Sequence, residues 1–300
     1  MIATARPDNT MLNPKLNAII RRIDDLPTLP RTVFRITEMI NNPRSSARDL
    51  AHVITDDQVL TARLLRLVNS SFYGFPQRIT TITRAIVIIG FDAIRHLLLT
   101  TSVFDIFSGR RSDLQNAREN LWDHSLGCAV AAKVIGKHIR HDKIEELFVC
   151  ALLHDIGKIV SMVYAQQDYE AVTHLAAEKD ILLIDAEATL LTYTHSDIGR
   201  LLAERWNLPK MVAEVIFHHH TPDQAGAYAR EAAVVHLADI FCRALQLGSG
   251  GDNRMPALNS SAWELLGLSE ADIETMLPEV ETGFSDISPF TDAITTAASA

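Results

Sequence analysis

Cysteine is scarce in this 300-residue chain, with Cys128, Cys150 and Cys242 the only three. The count is odd and no two form a Cys-x-x-Cys pair. That argues against a disulfide framework or a cysteine-built zinc site, and it fits a reducing compartment. Glycine (13) and proline (11) are also sparse, which excludes collagen and pervasive disorder. Basic charge is in deficit: 28 Lys and Arg stand against 37 Asp and Glu, a formal net charge of −9. A whole-surface attraction to nucleic acid or anionic lipid is not expected. The first residues hold no apolar run, so no signal peptide is expected. The apolar stretches Ile86–Ile89 and Leu97–Leu99 are far shorter than a bilayer span. The expectation is a cytoplasmic protein.

What is present is a helical pattern with enough apolar content, 47%, to fill a sizeable core. Leu60, Leu64, Leu67 and Val68 recur at helical spacing. Ser46 with Asp49, Thr55 with Gln58, Ser112 with Gln115 and Ser269 with Asp272 have the spacing of a capping box. The best strand candidate is the β-branched run Ile79–Ile89. It reads as helix from about Thr81, because Ile82, Ala85, Ile86 and Ile89 share one face. Turns fall at Leu26–Pro30, Asn41–Pro43, Gly74–Pro76 and Gly248–Pro256. The spacing predicts an all-α protein of some twelve or more helices. It divides into a tail at 1–12, an N-terminal helical subdomain at 13–110, a second helical domain at 111–283 and a tail at 284–300.

Twelve histidines are many for this length, and ten of them follow residue 120. The sharpest feature is the apolar run into His154-Asp155, followed by Gly157 and Lys158. His124 lies upstream, and His195, the run His218-His219-His220 and Asp239 lie downstream. Imidazole and carboxylate suit divalent transition ions, and a carboxylate can bridge two of them. Such a pair can activate water and polarise a phosphoryl oxygen. Lys158, one turn beyond the pair, has the charge to meet a phosphate. Successive helical residues differ by roughly 100° in direction, so the three consecutive histidines cannot all face one way. His52, His96, His138, His141, His174 and His236 read as ordinary core or surface residues.

These motifs carry a resemblance. Leu121–Ser125, Leu152–Lys158, Thr194–Pro209, His218–Pro222 and His236–Asp239 together resemble the HD superfamily of metal-dependent phosphohydrolases. The N-terminal half is more specific. Its Leu26-Pro27-x-Leu29-Pro30 start, the segment Val68–Gly74 and the run Ile79–Phe91 resemble an HDOD domain, the HD-related output domain of bacterial signalling proteins. The likeness runs from about Leu26 to Leu245.

The resemblance implies an N-terminal helical subdomain packed on an HD-like one, and a signalling or regulatory role. No second signalling domain is expected beside it, so partnership is expected between chains. It also implies that His124, His154, Asp155 and Asp239 hold a metal and that His195, His219 and His220 complete a second site. The cofactor would then be one or two ions of Fe, Mn or Zn. Were the protein an enzyme, Asp155 would bridge the ions and Lys158 would steady the developing charge. No GYP sequence follows His220, and Thr221 stands where the related cyclic-di-GMP phosphodiesterases carry an acidic residue.

Two functions are expected on these grounds. One is a regulatory module with a retained metal site that binds a signalling protein or a nucleotide second messenger. Its surface would include Phe72, Tyr73, Phe75, Arg78 and Arg84, aromatics beside arginines. The other is a metal-dependent phosphohydrolase acting on a nucleotide or phosphoester. Neither direct nucleic-acid binding nor a membrane role is expected.

Overall fold

Short polar side chains set where several of the helices begin. In the computed structural model, residues 44–69, 75–107 and 114–298 are described, with Arg35, Ile36, Met39 and Asn42 before them. Ser46 and Asp49 form a reciprocal capping box that starts α1 (Ala47–Thr55). Thr55 does not open the next helix, as its spacing with Gln58 predicts. Its hydroxyl bonds back to the Ala51 and His52 carbonyls. Asp57 supplies the cap instead, accepting from the Leu60 amide at the start of α2 (Gln58–Val68). Ser269 and Asp272 form the expected box at 2.7 Å. The predicted cap at Ser112 lies outside the described residues.

Asn69 closes α2 and pins the next segment to it. Its amide donates to the Leu65 and Ile79 carbonyls and its oxygen accepts from the Ile79 amide, each at 2.7 Å. This holds the extended stretch before α3 (Ile82–Phe107) against the end of α2. The β-branched run is helical, as the one-faced pattern predicts, with Ile82, Ala85 and Ile86 buried. The helix is broken at Gly90, whose φ of 88° is left-handed.

The second half is built round α4 (Gln115–His138), which is buried along most of its length. Against it pack α5 (Ile144–Leu153), α11 (Ala229–Ala244) and α13 (Glu270–Ala298). Between α5 and α11 run α6 (Ile156–Tyr164), α7 (Gln166–Lys179), α8 (Leu183–Leu190), α9 (His195–Arg205) and α10 (Lys210–His218). The short α12 (Ser260–Leu266) follows α11. No strand occurs among the described residues. One apolar core runs through both halves, joining Leu64, Ile86 and Leu97 to Trp122, Phe148 and Val235. Each such side chain contributes about 1.5–3 kcal/mol on burial.

Two elements depart from the sequence reading. Helix α13 continues to Ala298, through the segment predicted to be a tail; Phe284 packs on the core and Ile287 is buried, which draws the helix onward. Among the described residues, Ile144–Tyr164 is long and apolar enough to cross a membrane, yet it is mostly buried inside the fold. It bends at His154 and Asp155, which interrupt the helix in its middle. The boundary expected near 108–112, the tail at 1–12, Phe72 and Tyr73 lie outside the described residues.

Candidate metal centre

Five separate helix ends and faces deliver the predicted side chains to one place. His124 lies on α4. His154 and Asp155 form the bend between α5 and α6. His195 opens α9, His219 and His220 follow the last turn of α10, and Asp239 lies on α11. All but His220 are 2% exposed or less.

Asp155 is the hub. Its Oδ1 lies 3.3 Å from His195 Nε2 and 3.8 Å from His219 Nε2. Its Oδ2 lies 3.3 Å from His154 Nε2 and 3.8 Å from His124 Nε2, and accepts from Lys158 Nζ at 2.7 Å. His124 Nε2 stands 3.1 Å from Asp239 Oδ1. On the other side, His195 Nε2 approaches His220 Nε2 to 3.1 Å and His219 Nε2 to 3.4 Å. His218 faces away, 3.8 Å from Glu214, so the pair in the cluster is His219 and His220.

The local sequence explains the convergence. A Cβ on Gly157 would collide with the His195 carbonyl, so only glycine lets the start of α9 press against α6. Thr194 holds that start, its amide and hydroxyl donating to Asp197 at 2.7 and 2.8 Å. Gly248, at a left-handed φ of 66°, turns the chain after α11 over the N-terminal half of α4. Gly250 then lays its carbonyl on Lys158 Nζ at 2.8 Å. Asp252 anchors the loop, accepting from Arg243 at 2.7 Å and from the Leu183 amide at 3.0 Å.

Outer partners orient the rings. His154 Nδ1 donates to the Ala151 carbonyl at 2.6 Å and His219 Nδ1 to the Ile216 carbonyl at 2.7 Å. His195 Nδ1 pairs with Glu187 at 2.7 Å. His236 donates from Nδ1 to the His219 carbonyl at 2.9 Å, fixing the backbone of that residue. Arg243 Nε donates to Asp239 at 2.8 Å. The sequence reading missed Glu187, Arg243 and Asp252, while His236 is the hydrogen-bonded core residue it was read to be. It also missed Cys128, whose Sγ lies 3.6 Å from His124 Nε2. Cys128 and Arg243 had a signal, standing four residues after His124 and Asp239 on their helices.

The two carboxylates stay ionised, which suits a cation. Burial opposes the ionisation of Asp155, but His154 and Lys158 outweigh it and hold the carboxyl well below its usual range. Burial likewise opposes that of Asp239, and Arg243 and His124 outweigh it. Burial and the neighbouring histidines push His219 and His220 well below the usual imidazole range, so both are neutral at pH 7. Burial also opposes the charged form of His124, but Cys128 and Asp239 lift it to about 9, so a cation bound there displaces a proton from that ring.

These residues fit a bound divalent ion. A neutral ring that donates from Nδ1 presents a bare lone pair at Nε2. The His195, His219 and His220 Nε2 atoms face one another within a few ångströms. His154 Nε2 and Asp155 Oδ1 are buried with no hydrogen-bond partner. Buried polar atoms of that kind are rare and costly, and a cation between them answers each one.

The sequence pattern of the HDOD domain matches residues 26–222. The chain belongs to the HDOD family. A relative in Treponema pallidum, an uncharacterized protein, is 29% identical over 231 residues. The match takes in 76% of this HDOD chain and 44% of the relative, so this chain spans less than half of that protein. Among solved structures, an HDOD domain protein of unknown function from Geobacter sulfurreducens superposes with a TM-score of 0.75 at 28% identity, over 93% of this chain and 96% of the other. A protein of Marinobacter aquaeolei, provisionally described as a signal transduction protein, shares the fold at TM-score 0.73 and 21% identity, over 96% and 67%. One from Shewanella amazonensis, provisionally described as a phosphohydrolase, does so at 0.63 and 22%, over 89% and 98%.

Proposed function

We propose that this HDOD protein is a signal-transduction module whose core holds one or two divalent transition metal ions, and that it acts by binding a signalling protein or a nucleotide messenger. His124, His154, Asp155 and Asp239 hold one ion. His195, His219 and His220 hold the second, with Asp155 shared. The ions are Fe, Mn or Zn.

The observation that carries the regulatory reading is the cover over the centre. The Lys158 ammonium is 1% exposed and is committed to both Asp155 and the Gly250 carbonyl. A phosphate could reach it only by displacing the loop that Asp252 and Arg243 anchor. In this reading the metal holds a conformation, stabilising the fold that binds it. The partner meets the N-terminal half, where Arg78 and Arg84 are exposed beside Val87 (71% exposed) and Ile88 (44%). Phe75 packs on the core and contributes less to that surface than the sequence suggests.

A phosphohydrolase is the second reading, favoured by the placing of Asp155 between the two histidine groups. Two bound ions would supply a Lewis acid and an activated water. Lys158 would hold Asp155 ionised and oriented.

Elemental mass spectrometry of untagged protein, beside a screen of cyclic and linear nucleotides and phosphoesters, tests both. Stoichiometric metal without turnover supports the module. Turnover that vanishes with the metal supports the enzyme. No metal after soaking with Mn, Fe and Zn refutes the centre.

A further inference from the structure

Cys128 lies outside the ligand set that the histidine motifs define, yet it faces into the same cluster. It sits one helical turn after His124 on α4 and is fully buried. Its Sγ, a ring nitrogen of each of His124 and His154 and an Asp239 carboxylate oxygen all lie within 4.8 Å of one another. We infer that Cys128 is a thiolate ligand of the His124–His154–Asp239 site, which makes that site selective for a thiophilic ion of the zinc class. The inference rests on the proposed metal centre and names what that site prefers.

Three observations converge. A zinc ion sits about 2.3 Å from sulfur and ~2.0–2.1 Å from nitrogen, which separates ligand atoms on neighbouring corners by about 3.1–3.6 Å. The Cys128 Sγ to His124 Nε2 distance is 3.6 Å. His154 Nε2 is buried, aimed into the cluster and without a hydrogen-bond partner. Finally, the sulfur joins two imidazoles and two carboxylates, Asp239 and the shared Asp155, and a thiolate in such a set favours zinc.

The neighbouring site has a different character. His195, His219 and His220 bring three nitrogens and share Asp155, with no sulfur in their group. Thiolate donors select zinc and iron, whereas oxygen-rich sets suit manganese and magnesium. The two halves of the centre are therefore inequivalent, and Cys128 makes the difference. On binding, the Cys128 S–H bond gives way to a sulfur–metal bond and the proton passes to solvent.

Cobalt(II) reports the donor directly, because a thiolate ligand gives a near-ultraviolet charge-transfer band that nitrogen and oxygen donors lack. The metal-free protein, Cys128→Ser and Cys242→Ala are each titrated with cobalt and then challenged with zinc and manganese. Cys242 lies beside Cys128 but outside the ligand group, so it controls for the loss of a buried thiol. The wild type and Cys242→Ala are expected to show the band, and Cys128→Ser to lose it and to show a smaller preference for zinc over manganese. Cobalt bound without the band, or a band that survives Cys128→Ser, overturns the assignment and leaves the metal centre standing. No cobalt bound by the wild type overturns both. Should Cys128→Ser fail to fold, zinc-edge X-ray absorption on the wild type decides: a sulfur neighbour at about 2.3 Å supports the ligand and a purely nitrogen and oxygen shell refutes it.

Discussion

One carboxylate oxygen of Glu187 takes two hydrogen bonds from the same residue, the ring Nδ1–H of His195 at 2.7 Å and its backbone N–H at 3.1 Å. The ring and the start of α9 are thereby held by one acceptor, and His195 Nε2 is left facing His219, His220 and Asp155. Outer carboxylates of this kind fix the tautomer and raise the basicity of a ligating imidazole.

Glu187→Ala is therefore expected to weaken metal binding by about 10–100-fold without touching an ion. Competition with a chromophoric chelator measures it. Glu187→Gln, which keeps one acceptor oxygen, should lose less. Unchanged affinity in Glu187→Ala would show that His195 is oriented by its helix alone.

Gly157 gives a packing prediction. A methyl group there must push α9 off α6, because the obstacle is the His195 backbone and not a movable side chain tip. Gly157→Ala should cost about 1–3 kcal/mol in chemical denaturation, in the range of other overpacking changes. It should also lower metal content, since His195 moves with the backbone. Full metal occupancy in a destabilised variant would mean that the site tolerates the shift.

His124, His154, Asp155, His195, His219, His220 and Asp239 were legible as candidates, because their residue types suit metal ligation and the likeness to the HD motifs singles them out. The helical class was legible too, since the apolar period holds across Ile79–Ile89 despite its β-branched composition. Glu187 was not. Its partner lies eight residues on, across a bend between two helices, and nothing in a one-dimensional pattern marks that pairing. The loop Gly248–Asp252 read as a linker for its glycines and polar residues. The same glycines let it lie against α4 and Lys158, a role that depends on the distant strut between Arg243 and Asp252.

That strut supports the third prediction. Arg243 donates to Asp239 at 2.8 Å and to Asp252 at 2.7 Å, and all three side chains are less than a tenth exposed. Removing one partner of a buried pair leaves an uncompensated charge, at a cost of about 3–5 kcal/mol. Arg243→Ala should fall in that range and release the loop. Amide exchange at residues 248–252 should then rise well ahead of exchange in α4. Equal protection of the loop in wild type and variant would sink the claim that Arg243 anchors it.

Asp155 and Lys158 give the most demanding test, because they separate stability from metal binding. Asp155→Asn removes the carboxylate both ligand groups share, so metal content should fall at both sites. The change also strands the Lys158 ammonium, buried and left with the Gly250 carbonyl as its acceptor. In metal-free protein the expected loss is about 3–5 kcal/mol, the size typical of breaking a buried pair from one side. Lys158→Met added to Asp155→Asn removes the stranded charge. The double variant should recover much of that stability while still failing to bind metal, and the non-additivity measures the coupling between the two groups. If the two changes add independently, the 2.7 Å contact contributes no net coupling. If Asp155→Asn keeps its full metal complement, the shared carboxylate is not a ligand. The remaining histidine groups would then have to be treated as two separate and weaker sites.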